Sequence, residues 1–212
     1  MKQLIAAAVL GLAMATAAVA APVIVSYNVT HTEKSGFGGW AHAYNGNIAD
    51  LGGNLADYDG GSGTLNDGSL GRSEQETQLF GNSGVTITLF LDQLYTVNSL
   101  SIFGGNYTHN GIPGTLNGMT VTMGNSTGDF SSTNFGVNGD FVDLAGTDLA
   151  LQQTDTIILS NFVPGYDTYF SIAEIVVDGV AQGSNNVPEP GSLVLLGMGL
   201  CAAFSVRRRQ AK

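Results

Sequence analysis

The sequence is poor in cysteine and in charged residues. Cys201 is the only cysteine of the 212 residues, so an intrachain disulfide and a zinc site of the Cys₂His₂ type are both excluded. Charged residues make up 11% of the chain, against about 25% in an average protein. Hydrophobic residues make up 43%, which is enough apolar surface to form a core and excludes a disordered chain.

Basic residues are especially scarce away from the two ends of the chain. Between residues 22 and 187 only Lys34 and Arg72 are basic, whereas sixteen residues are acidic, which gives this stretch a formal charge of −14. Nucleic-acid binding is excluded because it needs clustered lysine and arginine side chains to neutralise phosphates. An acidic surface of this kind suits bound calcium, a cationic partner or solubility outside the cell.

The common sequence motifs of enzyme active sites are also missing. His31, His42 and His109 are too widely spaced for the H-E-x-x-H pattern of a helical zinc site. The chain has no G-x-S-x-G nucleophile turn, and Cys201 lies within a hydrophobic segment near the end. We therefore predict a protein without catalytic activity and assign no catalytic residue.

The first twenty residues have the three-part layout of a secretory signal peptide. Lys2 supplies the positive start, Leu4 to Met14 form an apolar run, and Ala18-Val19-Ala20 matches the A-x-A cleavage pattern. A permanent membrane helix is the alternative, and the small residues before the cleavage site argue against it. We predict that residues 1–20 are removed after Ala20 and that the rest is exported through the inner membrane.

The other end of the chain predicts a membrane-spanning segment. Residues 191–206 contain no charge and are followed at once by three arginines. A helix of sixteen residues is about 24 Å long, somewhat short of a hydrocarbon core of about 30 Å, but snorkelling arginines can absorb the difference. Clustered arginines resist translocation, so we predict a transmembrane helix over 191–206 and a cytoplasmic tail over 207–212. A C-terminal core helix is the alternative.

Residues around this segment resemble a known export signal. A V-P-E-P tetrapeptide, an apolar span and an arginine triplet follow one another, as in the PEP-CTERM sorting signal of Gram-negative bacteria. The resemblance implies recognition and cleavage by an exosortase-type enzyme, with a membrane-anchored precursor and delivery to the cell surface or the exopolysaccharide matrix. The residues that match the signal are Val187, Pro188, Glu189, Pro190, Arg207, Arg208 and Arg209.

The stretch between the two ends has the pattern of an all-β fold. Short alternating or β-branched segments recur between clusters of glycine, asparagine, aspartate and serine. We predict one antiparallel β-sandwich domain over residues 21–182, followed by a flexible linker with the sorting motif over 183–190. A turn is expected at Tyr95–Val97, and no regular structure is expected over 36–84. The predicted strands are 23–29, 85–91, 97–103, 119–123, 156–162 and 169–177.

The order of these segments resembles the discoidin or galactose-binding-like jelly roll. The Asp67-Gly68 turn, the strand 85–91 and the final strand around Glu174 carry this resemblance. It implies a structural Ca²⁺ held by Asp67 and Glu174, with Asn66 and Ser73 as further oxygen donors. Calcium binds six to eight oxygen ligands, and a glycine beside an aspartate lets main-chain carbonyls turn inward. The alternative is an ordinary turn at Asp67-Gly68 and a solvent-facing Glu174.

These features predict an exported structural or interaction protein of the exopolysaccharide layer. The alternatives are a carbohydrate-binding module and a calcium-dependent adhesin. Exposed aromatic rings stack on sugars, and Trp40 and Tyr107 are the candidate ligand-binding residues, with Tyr44, Tyr58 and His109 in similar loop-like segments. Packing of Trp40 and Tyr44 over a sheet is the alternative role for those rings.

Overall fold

The computed structural model describes residues 21–33, 43–71, 76–81, 84–104, 116–135, 140–150, 152–164 and 168–182. All of these residues belong to one compact unit, Ala20–Gln182. The predicted signal peptide, linker, transmembrane segment and basic tail lie outside the described residues. Within the described ranges, no helix is long and apolar enough to cross a membrane.

The described residues form eleven β-strands and one short 3₁₀ turn. The turn, Thr64–Asn66, lies between the third and fourth strands. The strands are β1 (Ile24–Glu33), β2 (Asn47–Gly52), β3 (Leu55–Gly61), β4 (Gln78–Phe80), β5 (Thr86–Phe103), β6 (Leu116–Met123), β7 (Ser126–Phe135), β8 (Asp140–Asp143), β9 (Gln153–Pro164), β10 (Phe170–Ile172) and β11 (Glu174–Ala181).

All strand pairs are antiparallel, which confirms the predicted all-β antiparallel fold. The main path runs β2-β3-β1-β5-β9-β6-β7, and β8 and β11 also pair with β5. Strands β4 and β10 form a separate two-stranded sheet. Strand β5 therefore connects two groups of strands within the main sheet. Its first half pairs with β1 and β9, and its second half pairs with β8 and β11.

The predicted turn at Tyr95–Val97 is wrong, because β5 continues through it. The register with β9 shifts between Phe90 and Tyr95, and the residues between Leu91 and Tyr95 are exposed. This irregularity bends the strand without ending it, so that both halves keep their pairing. Tyr95 is fully buried, and its hydroxyl donates to Asp92 Oδ1 at 2.9 Å.

The core lies between the inward faces of the strands. Alternate residues of β5, β6 and β9 are fully buried there, among them Ile87, Val121 and Leu159. Each such side chain contributes about 1.5–3 kcal/mol when it is removed from water. This apolar interior holds the strand ends in fixed positions, and the candidate sites lie at those ends.

Two further predictions about the strands need correction. The stretch 36–84 contains β2, β3, the 3₁₀ turn and β4, so the expectation of no regular structure there is wrong. The predicted final strand 169–177 is divided at Ala173. Strand β10 pairs with β4, whereas β11 pairs with β5, so the chain changes partner just before Glu174.

Candidate functional site

Glu174 is the first residue of β11 and is buried. Its main chain pairs with Phe103 of β5, and the preceding Ala173 N–H donates to Phe103 O at 2.6 Å. These bonds hold the start of β11 against the middle of the structure. Only 7% of the Glu174 surface is exposed, so the alternative of a solvent-facing glutamate is wrong.

The second part of the site is the loop that follows the 3₁₀ turn. The Asn66 side chain ties this loop to β1, since Nδ2 donates to Ile24 O and Oδ1 accepts from Gly63 N–H, both at 2.9 Å. Asp67 follows, and its Oδ1 accepts the Ser69 N–H at 2.8 Å. The loop is therefore held by its own side chains on the side of β1.

The loop meets Glu174 through a direct hydrogen bond. The Gly68 N–H donates to Glu174 Oε2 at 2.9 Å, across 106 residues of sequence. Gly68 has φ +83°, a conformation that glycine adopts without strain and that aims its N–H at the carboxylate. The structure thus brings Asp67 and Glu174 to one place, as the family resemblance implied, while a bound metal stays a prediction.

Gly71 is a residue of this loop that the sequence reasoning did not single out. It has φ +69°, and a side chain there would overlap Ala173, the residue immediately before Glu174. The loop therefore crosses the β10–β11 junction at backbone distance, which only glycine permits. The only sign of this close approach in the sequence is the pair of glycines, Gly68 and Gly71, that follows Asp67.

The electrostatics of the site disfavour a charged Glu174. Burial is the largest cause that raises the pKa of Glu174, the Gly68 N–H lowers it and the negative charge of Asp67 raises it, and together these effects bring the pKa to about 7. The part of the chain that the structure describes contains no lysine or arginine. The two carboxylates are therefore not neutralised by a basic side chain from any described residue.

Two oxygen ligands of the kind that Ca²⁺ prefers are present at this site. Carboxylate oxygens of Asp67 and Glu174 face the same loop, and a groove of 330 Å³ beside them is lined in part by Ile24, Gly68 and Val176. Among the described residues, no three His, Cys, Asp or Glu side chains lie close enough together to hold a metal ion by themselves. Main-chain carbonyls and water would complete the six to eight ligands that Ca²⁺ takes. The Asn66 side-chain oxygen already accepts a hydrogen bond, so Asn66 would offer its main-chain carbonyl; Ser73 lies outside the described residues.

The aromatic residues named as sugar-binding candidates divide into two groups. Trp40, Tyr107 and His109 lie outside the described residues. Tyr44 and Tyr58 stack with ring centroids 4.9 Å apart, and the Tyr44 hydroxyl donates to Tyr27 O at 2.8 Å. Tyr58 is 1% exposed. Tyr44 therefore packs over the sheet, and Tyr58 is a core residue rather than part of a sugar-binding face.

Comparison with family models identifies the end of the chain. Residues 186–209 match the model described as the PEP-CTERM protein-sorting motif. The chain carries a PEP-CTERM sorting motif. This confirms the resemblance seen in the sequence, and the PEP-CTERM motif implies secretion through a membrane-anchored precursor.

A search of the curated proteins gives no match. Among solved structures, the chain is similar to the family 32 carbohydrate-binding module of NanJ from Clostridium perfringens in complex with galactose, at 13% identity and TM-score 0.43, over 74% of this chain and 98% of that one. A fucolectin from striped bass serum is similar at 18% identity and TM-score 0.40, over 56% of this chain and 42% of that one. A family 89 glycoside hydrolase from C. perfringens is similar at 17% identity and TM-score 0.41, over 80% of this chain and 16% of the hydrolase.

Proposed function

We propose that this PEP-CTERM protein is a non-catalytic interaction protein of the cell surface or extracellular matrix, with a β-sandwich of the galactose-binding-like type stabilised by one Ca²⁺. Asp67 and Glu174 are the proposed side-chain ligands. The proposed partners are an exosortase-type enzyme during sorting and the exopolysaccharide afterwards.

The observation that carries the calcium part is the burial of Glu174 beside the Asp67 loop. A buried carboxylate that is charged and next to a second carboxylate is unfavourable unless a cation neutralises the pair. The Gly68 N–H is directed at the same carboxylate, so the loop geometry depends on what Glu174 binds. A Ca²⁺ ion would neutralise both carboxylates and hold the loop on the start of β11.

The position of the site explains how an ion would affect the whole domain. Asn66 fixes the loop to β1, and Glu174 fixes it to β11, which pairs with β5. An ion held between Asp67 and Glu174 would therefore connect the beginning and the end of the domain. Calcium sites in extracellular modules commonly have dissociation constants of about 10⁻⁴–10⁻³ M, which suits a site with two carboxylates.

The experiment measures thermal unfolding of the full-length protein in detergent, with excess Ca²⁺, with Mg²⁺ and with a chelator. Calcium that binds only the folded state should raise Tm, by an amount that grows with its concentration. Asp67→Asn and Glu174→Gln should lose this response. Asp178→Asn, an exposed carboxylate on the same strand β11, is the matched control and should keep it. An unchanged Tm with Ca²⁺ in the unmodified protein would remove both residues as ligands.

The interaction part needs a separate measurement on cells. A host strain should display the protein on its surface or in its matrix, and addition of chelator should weaken its retention in the matrix. Retention that is equal with Ca²⁺, with chelator and in the Glu174→Gln variant would contradict a calcium-stabilised interaction role. It would leave the sorting signal itself unaffected.

A further inference from the structure

A buried polar pair lies between the two sheets of the structure. Thr32 of β1 belongs to the main sheet, and Gln78 of β4 belongs to the two-stranded sheet. Both residues are 0% exposed, and Gln78 Nε2 donates to Thr32 Oγ1 at 3.4 Å across 46 residues of sequence. A hydroxyl and a primary amide therefore face each other inside a domain whose interior is mostly apolar.

A β-bulge turns Thr32 into the interior. Alternation from the buried Val29 would direct Thr32 to the outer face, as it does for the half-buried Thr30. His31 has φ +56°, however, and the register of β1 with β3 shifts between Val29 and Thr32. A one-residue bulge moves every following side chain to the other face of the strand, so Thr32 is buried.

Strand pairing holds Gln78 from the other side. Its main chain pairs with Ile172 of β10, and all three residues of β4 are buried. Directly after β4, the Gly81 N–H donates to Glu33 Oε1 at 3.0 Å, so this part of the chain is also attached to the end of β1. The amide is therefore held opposite the hydroxyl by contacts on both of its flanks.

The Gln78 amide is poorly satisfied as a hydrogen-bonding group. Its bond of 3.4 Å is longer than the about 2.7–3.2 Å of an ordinary N–H···O bond, and its Oε1 is buried without a partner. Buried amides are nearly always paired, because an unpaired one costs free energy. A reaction between the two side chains would remove the amide N–H groups and the hydroxyl from the core.

The chain has few other means of joining its sheets covalently. Cys201 is the only cysteine, so a disulfide within the chain is excluded. An amide cross-link needs a lysine amine, and the parts of the chain that the structure describes contain no lysine. The hydroxyl of Thr32 is the nucleophile that this buried pair offers.

We propose that Thr32 and Gln78 form an intramolecular ester that joins β1 to β4. Thr32 Oγ1 attacks Gln78 Cδ, the Oγ1–Cδ bond forms and the Cδ–Nε2 bond breaks. Ammonia leaves with the hydroxyl proton, and no oxidant or reductant takes part. Because Cδ is bonded directly to Nε2, a small shift of the amide brings it to about 3–3.5 Å from Oγ1, the separation from which groups react.

The surroundings favour both the reaction and its product. Glu33 follows Thr32 in sequence, and its carboxylate accepts the Gly81 N–H next to β4, so it supplies an acid–base group at this junction for the proton transfer. Because Thr32 and Gln78 are both 0% exposed, the water that would hydrolyse the ester is excluded.

This inference is independent of the proposed calcium role, since neither Asp67 nor Glu174 takes part. The first test is mass spectrometry of the purified full-length protein after incubation in the folded state at neutral pH. The chain should be about 17 Da lighter than the mass calculated from its sequence, because one ammonia is lost. An unchanged mass would overturn the proposal without any variant.

Digestion with trypsin locates the bond. Between residues 22 and 187 the only cleavage sites are Lys34 and Arg72, and both lie between the two reacting residues in the sequence. The peptide that ends at Lys34 and the peptide that begins at Ser73 should therefore stay joined after denaturation and digestion. Mild alkali, which hydrolyses esters but not amides, should separate them. Peptides that are already separate, or a joined pair that alkali leaves intact, would overturn the proposal.

Variants identify the nucleophile. Thr32→Val removes the hydroxyl with little change in shape, so it should abolish the joined pair. Thr30→Val, on the same strand with a half-buried side chain, is the matched control and should keep it. Joined peptides in Thr32→Val would assign the bond to another residue and overturn the proposal, and so would an equal loss in both variants. Thermal unfolding checks that each variant remains folded.

Discussion

Replacing Glu174 by glutamine should stabilise the calcium-free protein at pH 8. Glutamine has nearly the same shape and can still accept the Gly68 N–H bond, but it carries no charge. Burial raises the pKa of Glu174 from 4.5 to about 7. The folded protein therefore holds the proton more tightly than the unfolded chain does. The resulting stability is complete below pH 4.5 and is lost as the pH rises through about 7.

The size of this effect follows from the same pKa. The rise corresponds to on the order of 3 kcal/mol between the two protonation states. In the presence of chelator, Glu174→Gln should be more stable than the unmodified protein by up to that amount at pH 8, with little difference at pH 4. For a domain of this size the gain is about 6–12 °C in Tm.

Calcium should cancel most of the stability difference between the two proteins at pH 8. At a Ca²⁺ concentration of about 100 times Kd, the unmodified protein should gain about 2.7 kcal/mol and the glutamine variant nothing. Denaturant unfolding at pH 4 and pH 8, with Ca²⁺ and with chelator, measures the effect of the Glu174 charge and the effect of calcium separately. The control Asp178→Asn should differ in stability from the unmodified protein by less than about 0.5 kcal/mol. A glutamine variant that is less stable at pH 8 in chelator would refute the reasoning about Glu174.

Three other outcomes can be measured on the same protein. Gly71→Ala should lower the free energy of unfolding by more than about 2 kcal/mol, because the new side chain would be strained at φ +69° and would also overlap Ala173. Gly68→Ala should lower it by about 1 kcal/mol, because Gly68 has φ +83° but open space around it. A larger loss in Gly68→Ala than in Gly71→Ala would contradict this account. If the protein binds sugars through its loop aromatics, binding on a glycan array should be lost in Trp40→Ala and Tyr107→Ala; unaltered binding would exclude these rings. Mass spectrometry of the mature protein from its host should show a chain that lacks Met1–Ala20 and the arginine triplet, whereas a C-terminus at Lys212 would exclude exosortase cleavage.

Local sequence signals predicted much of the β-structure because a half-buried strand shows an alternating pattern. Residues 85–91 and 156–162 alternate clearly, and all of them except Val85 lie in strands whose inner residues are in the core. Strand β2 carries no such signal, because it is an edge strand with every residue exposed. It was consequently missed, as was β7, another edge strand with a polar sequence.

Irregular pairings defeated the local pattern in the other cases. The bulge at His31 reverses which residues of β1 point inward, and the shift between Phe90 and Tyr95 bends β5 where a turn was expected. A bulge depends on the register of the partner strand, so the sequence of one strand does not reveal it. Tyr58 was assigned to a loop for the same reason, since its burial depends on how β3 pairs with β1.

The sequence alone was sufficient to identify the PEP-CTERM motif and the residue types at the candidate site, because the motif and the Asp-Gly turn are read from consecutive residues. The tertiary structure decided which groups lose contact with water. Glu174 is buried only because the chain changes partner at Ala173 and a loop 106 residues away closes over it. Thr32 is buried, and Glu33 only half-buried, because a bulge near His31 shifts the register of β1 against β3. Desolvation determines the charge behaviour of Glu174, and it depends on neighbours that are distant in the sequence.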